Sequence, residues 1–218
     1  MIKQTVYGDR EKCYKCFRPK SSCMCSYATK IDTNTKFIIL MHPKEFKKVK
    51  NNTGFLTHIS LPNSKVYIGI DFTNHKEINE IINTHKSYIL YPSKDAINLS
   101  TQNLHVKDTN LALFLIDSTW ACAKSIFKAS LNLQKLPHLS FSVDRKSNYE
   151  IKAQPEENFL STMETVQVVL ELLDKQDIEG IEKQKLDNFL NPFFEMIKYQ
   201  KELISNPKSN AVRFRKKT

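Results

Sequence analysis

The chain has 218 residues and a formal net charge of +10, from 33 Lys and Arg against 23 Asp and Glu. That length suits one sizeable domain with a small appendage, and the charge favours phosphate-rich partners, RNA or DNA first, although surface lysines also serve simply as solvated groups. Four glycines, all isolated, exclude a G-x-G-x-x-G dinucleotide loop, a glycine-rich methyltransferase motif and a Walker A loop. No run approaches the ~20 apolar residues of a membrane span.

The first chemical feature in chain order is Cys13-x2-Cys16-x6-Cys23-x-Cys25. Thiolates are soft ligands, and zinc takes four of them tetrahedrally, leaving no open position for chemistry. The spacing therefore predicts a structural zinc site on Cys13, Cys16, Cys23 and Cys25. Two disulfides or four free thiols are the alternatives. Met1 to Lys12 is polar, without a hydrophobic run of signal-peptide type, so the expected setting is the reducing cytoplasm, where disulfides are disfavoured. A fifth cysteine, Cys122, falls in a helical pattern and reads as a small core residue.

Phe37 to Met41 is a short apolar run that predicts a strand, followed by polar residues and a second strand at Val66 to Ile70. Ile78, Ile81 and Ile82 are spaced as on one helix face, and Tyr88 to Tyr91 reads as a third strand. Leu111 to Ile116 is continuously apolar, as expected for a central strand buried on both faces. Residues 119–134 suit a helix, and Leu139 to Val143 suits a further strand. Ser161-Thr162-Met163-Glu164 is a capping box opening an amphipathic helix. A last helical region from Lys183 to Leu203 is interrupted near Pro192. Strands alternating with helices predict an α/β fold with a mostly parallel sheet. The predicted layout is a cysteine knuckle over 1–30, an α/β domain over 31–205 and a basic tail over 206–218.

Ligands of open parallel sheets bind beyond the carboxyl ends of the strands. Asp117 falls at such an end, followed by Ser118, Thr119, Trp120 and a helix start. From the residues alone two readings stand. Asp117 accepts a proton while Ser118 or Thr119 and Trp120 contact ligands, or Asp117 and Ser118 cap the helix while Trp120 packs in the core. His42-Pro43-Lys44-Glu45 and Asn52-Thr53-Gly54 follow the first strand and belong to the same rim. His-x-x-Glu on its own is ordinarily a surface loop and calls for no metal.

Taken in order, Cys-x2-Cys-Phe-Arg18-Pro19, Cys-x-Cys, His42-Pro43-x-Glu45, Asn52-Thr53-Gly54, Asp117-x-Thr119-Trp120 and Ser161-Thr162-x-Glu164 resemble the DTW-domain family over Cys13 to about Leu173. The resemblance implies a SPOUT-like, trefoil-knotted α/β fold. It further implies a tRNA-uridine aminocarboxypropyltransferase that uses S-adenosylmethionine as donor, with tRNA as partner. Under this resemblance Asp117 is the expected base for uridine N3. Ser161, Thr162 and the helix they open are expected to take the donor carboxylate, and Glu45 or Glu164 its ammonium. His42 and Thr119 line the same donor site, and Trp120 contacts adenine, uridine or neither. Where the family carries an arginine before Ser-Thr-x-Glu, this chain has Lys152, which lacks the forked contact of a guanidinium. Arg145 nearby is a candidate replacement, and both are assigned to substrate binding. A non-catalytic zinc-containing RNA-binding module and a SPOUT-type RNA methyltransferase are the competing expectations. The sequence does not specify an oligomeric state.

Overall fold

The computed structural model describes residues 11–48, 51–106, 110–142, 147–148 and 160–206. Six strands form one sheet: β1 (Lys36–Met41), β2 (Ser64–Ile68), β3 (Lys86–Leu90), β4 (Ile97–Asn98), β5 (Leu111–Asp117) and β6 (His138–Ser140). Their order is β2-β1-β5-β3-β6-β4, and every pairing is parallel. Among the described residues seven α-helices accompany them: α1 (Pro43–Lys48), α2 (Gly54–Ser60), α3 (Lys76–Thr84), α4 (Trp120–Ala129), α5 (Thr162–Lys175), α6 (Lys183–Asp187) and α7 (Asn191–Ser205).

Strand side chains alternate between faces, and both faces of the sheet centre are apolar. Phe37, Ile39, Leu113 and Leu115 join Leu56 of α2, Val166 and Leu170 of α5, and Phe193 and Met196 of α7 in one core. Ile38, Leu40, Ala112 and Phe114 join Ile78 and Ile81 of α3 and Ile126 of α4 in the other. This double burial explains why β1 and β5 read as unbroken apolar runs. Each fully buried Leu, Ile or Phe contributes about 1.5–3 kcal/mol, so the centre of the sheet is a main source of stability.

The predicted elements are present with shifted ends. The second strand runs two residues earlier than expected, ending at Ile68. The helix over 119–134 stops at Ala129, because Ser130 turns away to receive the Phe72 amide on its hydroxyl and to donate to the Ile70 carbonyl. A short 3-10 turn at Leu133–Lys135 replaces its last part. The strand over 139–143 is reduced to β6, and Val143 lies outside the described residues. Pro192 breaks no helix interior: it occupies the first turn of α7, where its missing N–H costs nothing. The chain breaks earlier, between α6 and α7. Helices α1 and α2 and the two-residue β4 were not expected. Residues 207–218 of the basic tail lie outside the described residues.

The chain leaves β1 toward β2 on one side of the sheet and leaves β5 toward β6 on the other. The carboxyl ends of β1 and β5 therefore flank the point where connections diverge, the position at which open parallel sheets form a crevice.

Candidate active site

Met41 and Asp117 are register partners at the ends of β1 and β5. Asp117 continues the alternation of Leu113 and Leu115, which turns its carboxylate toward the α2 and α5 face. It is buried, at 5% exposure. Each of its oxygens accepts a short hydrogen bond: Oδ2 from Asn52 Nδ2 at 2.6 Å and Oδ1 from Thr162 Oγ1 at 2.6 Å. Hydrogen bonds to an ionised carboxylate are among the strong ones, so the two donors fix its orientation.

Gly54, the first residue of α2, closes the crevice. A Cβ at this position would stand 2.4 Å from Asp117 Oδ2, 2.8 Å from its Cγ and 3.2 Å from Met41 Cε. Glycine is required here for close approach rather than for backbone conformation. The preceding turn is held by Asn52 Oδ1, which accepts from the Phe55 amide at 3.0 Å. That bond orients the amide so that Nδ2 faces Asp117. Asn52 and Gly54 were visible as a polar cluster in the sequence, and only the fold shows that both act on Asp117.

The α5 start is the third wall. Ser161 accepts the Glu164 amide, and the Glu164 carboxylate accepts from the Ser161 amide at 2.8 Å, completing the predicted capping box. The same carboxylate also receives Ser147 Oγ at 2.8 Å and the Asn148 amide at 2.7 Å. Glu164, buried at 4% exposure, thus ties residues 147–148 to α5. Thr162 directs its hydroxyl to Asp117.

His42 and Glu45 lie just past β1, and both are buried. His42 Nδ1 accepts the Lys44 amide at 3.1 Å. Burial, and secondarily the Lys44 charge, hold the imidazole below its ordinary pKa, which favours the neutral ring. The α4 start is more open. Thr119 is its N-cap but makes no side-chain capping bond, so the exposed helix end keeps its partial positive charge uncapped by that side chain. Trp120 is 40% exposed, which rules out the core-packing reading. Ser118 Oγ is buried with no hydrogen-bond partner. An exposed indole, an orphaned hydroxyl and an uncapped helix start around a buried carboxylate suit a ligand with an aromatic ring and charged ends. Arg145 and Lys152 lie outside the described residues.

The four cysteines are reduced, and their sulfurs lie within 4.8 Å of one another. Cys13 and Cys25 are 3.7 Å apart, as are Cys16 and Cys23. A tetrahedral site with metal–sulfur bonds of about 2.3 Å has sulfur–sulfur edges of about 3.8 Å. The donor set and its size therefore fit zinc. The Cys16 amide helps hold the Cys13 thiol down at about 6, whereas burial raises Cys23 and Cys25. As metal ligands all four would be thiolates, whose mutual repulsion a bound cation would offset.

The knuckle is fastened to the rim. Phe17 has φ 56°, a left-handed conformation costly for a bulky residue. The turn bonds Phe17 N–H to Cys13 O and Cys13 N–H to Arg18 O, each 2.8 Å, enforce it. Its ring packs on Phe55 of α2 at 4.6 Å and on Phe46 of α1 at 5.7 Å between centroids. Phe46 follows Glu45, and Phe55 follows Gly54. Met24, between Cys23 and Cys25, is buried in the core beside α7.

The DTW domain, as a family, matches residues 10–201. The chain is 30% identical over 198 residues to tRNA-uridine aminocarboxypropyltransferase 2 of Drosophila melanogaster, covering 88% of this chain and 75% of the relative. It is 33% identical over 175 residues to the protein of that name in Mus musculus, covering 77% of this chain and 58% of the relative. A 31% identity over 142 residues relates it to tRNA-uridine aminocarboxypropyltransferase A of Arabidopsis thaliana, covering 58% of this chain and 54% of the relative. The chain spans only a little over half the length of the mouse and plant relatives. With the family match running from the cysteine knuckle through β5 and α5 into α7, the chain belongs to the DTW-domain family.

Proposed function

We propose that this protein transfers the 3-amino-3-carboxypropyl group of S-adenosylmethionine to N3 of a tRNA uridine, with Asp117 as the base. The observation that carries the reading is a buried carboxylate oriented by two donors at the switch point of a parallel sheet, beside an exposed tryptophan and an uncapped helix start. The names of the fly, mouse and plant relatives support the reaction and the substrate.

S-adenosylmethionine would supply a sulfonium-activated carbon, whose C–S bond breaks with its electron pair passing to sulfur, so that methylthioadenosine leaves. Uridine N3 carries a proton and is a poor nucleophile until that proton departs. Asp117 takes it as N3 bonds to the carbon. Asn52 and Thr162 keep the carboxylate aimed, and placement matters because every carbon on a sulfonium is electrophilic. The α4 start takes the donor carboxylate. This moves the assignment away from α5, whose Ser161 is occupied as a cap. Glu45, buried just past β1, takes the ammonium. His42 and Thr119 shape the donor pocket, and Trp120 stacks on a base. Arg145 and Lys152 are assigned to substrate binding. Zinc on the four cysteines is structural, which suits a reducing cytoplasm. The knuckle (1–30), α/β domain (31–205) and tail (206–218) act as clip, catalyst and arm. The SPOUT-type knotted path implied by the family resemblance is compatible with the all-parallel sheet, and tracing a crystal structure from both termini tests it.

The decisive variant is Asp117→Asn. It keeps the size of the side chain and the tRNA contacts, and should abolish aminocarboxypropyl-uridine formation while tRNA affinity stays near wild type. Wild-type turnover in a folded Asp117→Asn protein would make Asp117 a structural tie and remove it as the base.

A further inference from the structure

We propose that the cysteine knuckle and α1 form an aromatic platform on which unpaired tRNA nucleotides next to the modified uridine stack. The proposal rests on the reading of tRNA as substrate and adds a surface that the catalytic crevice does not contain.

Two exposed aromatic side chains, Phe17 and Phe46, meet where the fold joins the knuckle to α1, and a third, Tyr14, lies exposed three residues before Phe17 in the same knuckle. Tyr14, at the tip of the Cys13–Cys16 turn, is 89% exposed; Phe17 is 45% exposed and Phe46 is 39% exposed. Phe17 and Phe46 meet edge to face at 5.7 Å and 73°. Both rest on the buried ring of Phe55, so they are held at the surface rather than free to fold inward. Clustered exposed aromatics mark contact surfaces in soluble proteins.

Charge decides which partner fits. Lys12 and Lys15 on the knuckle and Lys44 and Lys47 on α1 are exposed. Of the acids in the same stretches, Glu11 is ion-paired with Lys20 and Glu45 is buried. A purely apolar protein partner would leave four ammonium groups unmatched. A single-stranded nucleic acid uses both components, bases on the rings and phosphates on the lysines, and base–aromatic stacking tolerates any base. Position agrees with this occupant. Phe55 adjoins Gly54, at which an added Cβ would meet Asp117, and Phe46 adjoins Glu45. The platform therefore lies along the lip of the crevice that would receive the extruded uridine, where its neighbours in an unpaired loop must pass.

The test is fluorescence anisotropy of labelled tRNA titrated with the full zinc-loaded chain, comparing wild type with Tyr14→Ala, Phe46→Leu and Tyr14→Phe. Tyr14 makes too little contact to support the fold, so Tyr14→Ala should keep wild-type zinc content and melting temperature. It should weaken tRNA on the order of tenfold, and Phe46→Leu should do the same by keeping apolar volume without a π face. Tyr14→Phe should bind as wild type. Unchanged affinity in folded Tyr14→Ala and Phe46→Leu would overturn the platform. Failure of the transferase reading is separately visible, as wild-type protein that binds tRNA and shows these losses without forming any modified uridine.

Discussion

Gly54→Ala is the sharpest perturbation of this site, because it adds one methyl group and no charge. The new Cβ would sit 2.4 Å from Asp117 Oδ2 and 2.8 Å from its Cγ. Ordinary van der Waals contact lies about 1 Å farther out, so the carboxylate or the start of α2 must give way by roughly that amount. Asp117 is short and pinned by Asn52 and Thr162, and Met41 Cε on the other side is only 3.2 Å from the new group. Overpacking of this kind costs about 1–3 kcal/mol, a melting-temperature loss on the order of 2–12 °C for a chain of this size. Misplacing a catalytic group by about 1 Å costs on the order of a hundredfold in rate. The expected result is a folded protein with a melting temperature lowered by that amount and a roughly hundredfold slower chemical step at saturating substrates. The assay is single-turnover formation of modified uridine, with thermal melts and tRNA affinity measured alongside. Wild-type turnover by Gly54→Ala would refute the claim that the geometry around Asp117 sets the rate.

Other consequences follow from the same geometry. Thr162→Val removes one donor to the buried Asp117 carboxylate and should lower stability by about 1–3 kcal/mol, while Thr162→Ser should restore it; equal melting temperatures for both would show that the 2.6 Å bond is immaterial. Metal analysis should find one zinc per chain in protein purified without chelator, and Cys13→Ser should lose metal and melt at lower temperature; substoichiometric zinc in the wild type would contradict the four-sulfur site. Burial lowers the pKa of His42 and of His58 from 6.5. The unfolded chain therefore binds more protons just below that pH, and stability should be level above about pH 6.5 and fall as pH drops beneath it; a melting temperature that stays flat from pH 7 to pH 5 at constant zinc occupancy would refute this.

What the sequence made legible is what local chemistry determines. The strands around Phe37–Met41 and Leu111–Ile116 are buried on both faces, so their apolar runs are unmistakable. The Ser161–Glu164 capping box depends on residues three apart, and the four cysteines need only thirteen positions to form their cluster. Asp117 stood out because it ends the most apolar strand. Helices α1 and α2 were missed because six and seven residues are too few for a helical period to show, and α2 begins at a glycine. Gly54 matters through Asp117, 63 positions away, and no local pattern announces that approach. Nor does the knuckle sequence disclose that Phe17 is forced into a left-handed conformation and braced on Phe46 and Phe55. Trp120 was ambiguous for a related reason: a tryptophan at a helix start packs inward or outward according to neighbours that only the fold supplies. Glu164 shows the limit of motif reading, since one carboxylate serves both a cap and the 147–148 segment.

The central claim is best tested by nucleoside mass spectrometry of unmodified tRNA incubated with the protein and S-adenosylmethionine. The account predicts uridine carrying an added aminocarboxypropyl group, formed in step with methylthioadenosine. A methylated nucleoside with S-adenosylhomocysteine, or tRNA that is bound but unchanged, would contradict it.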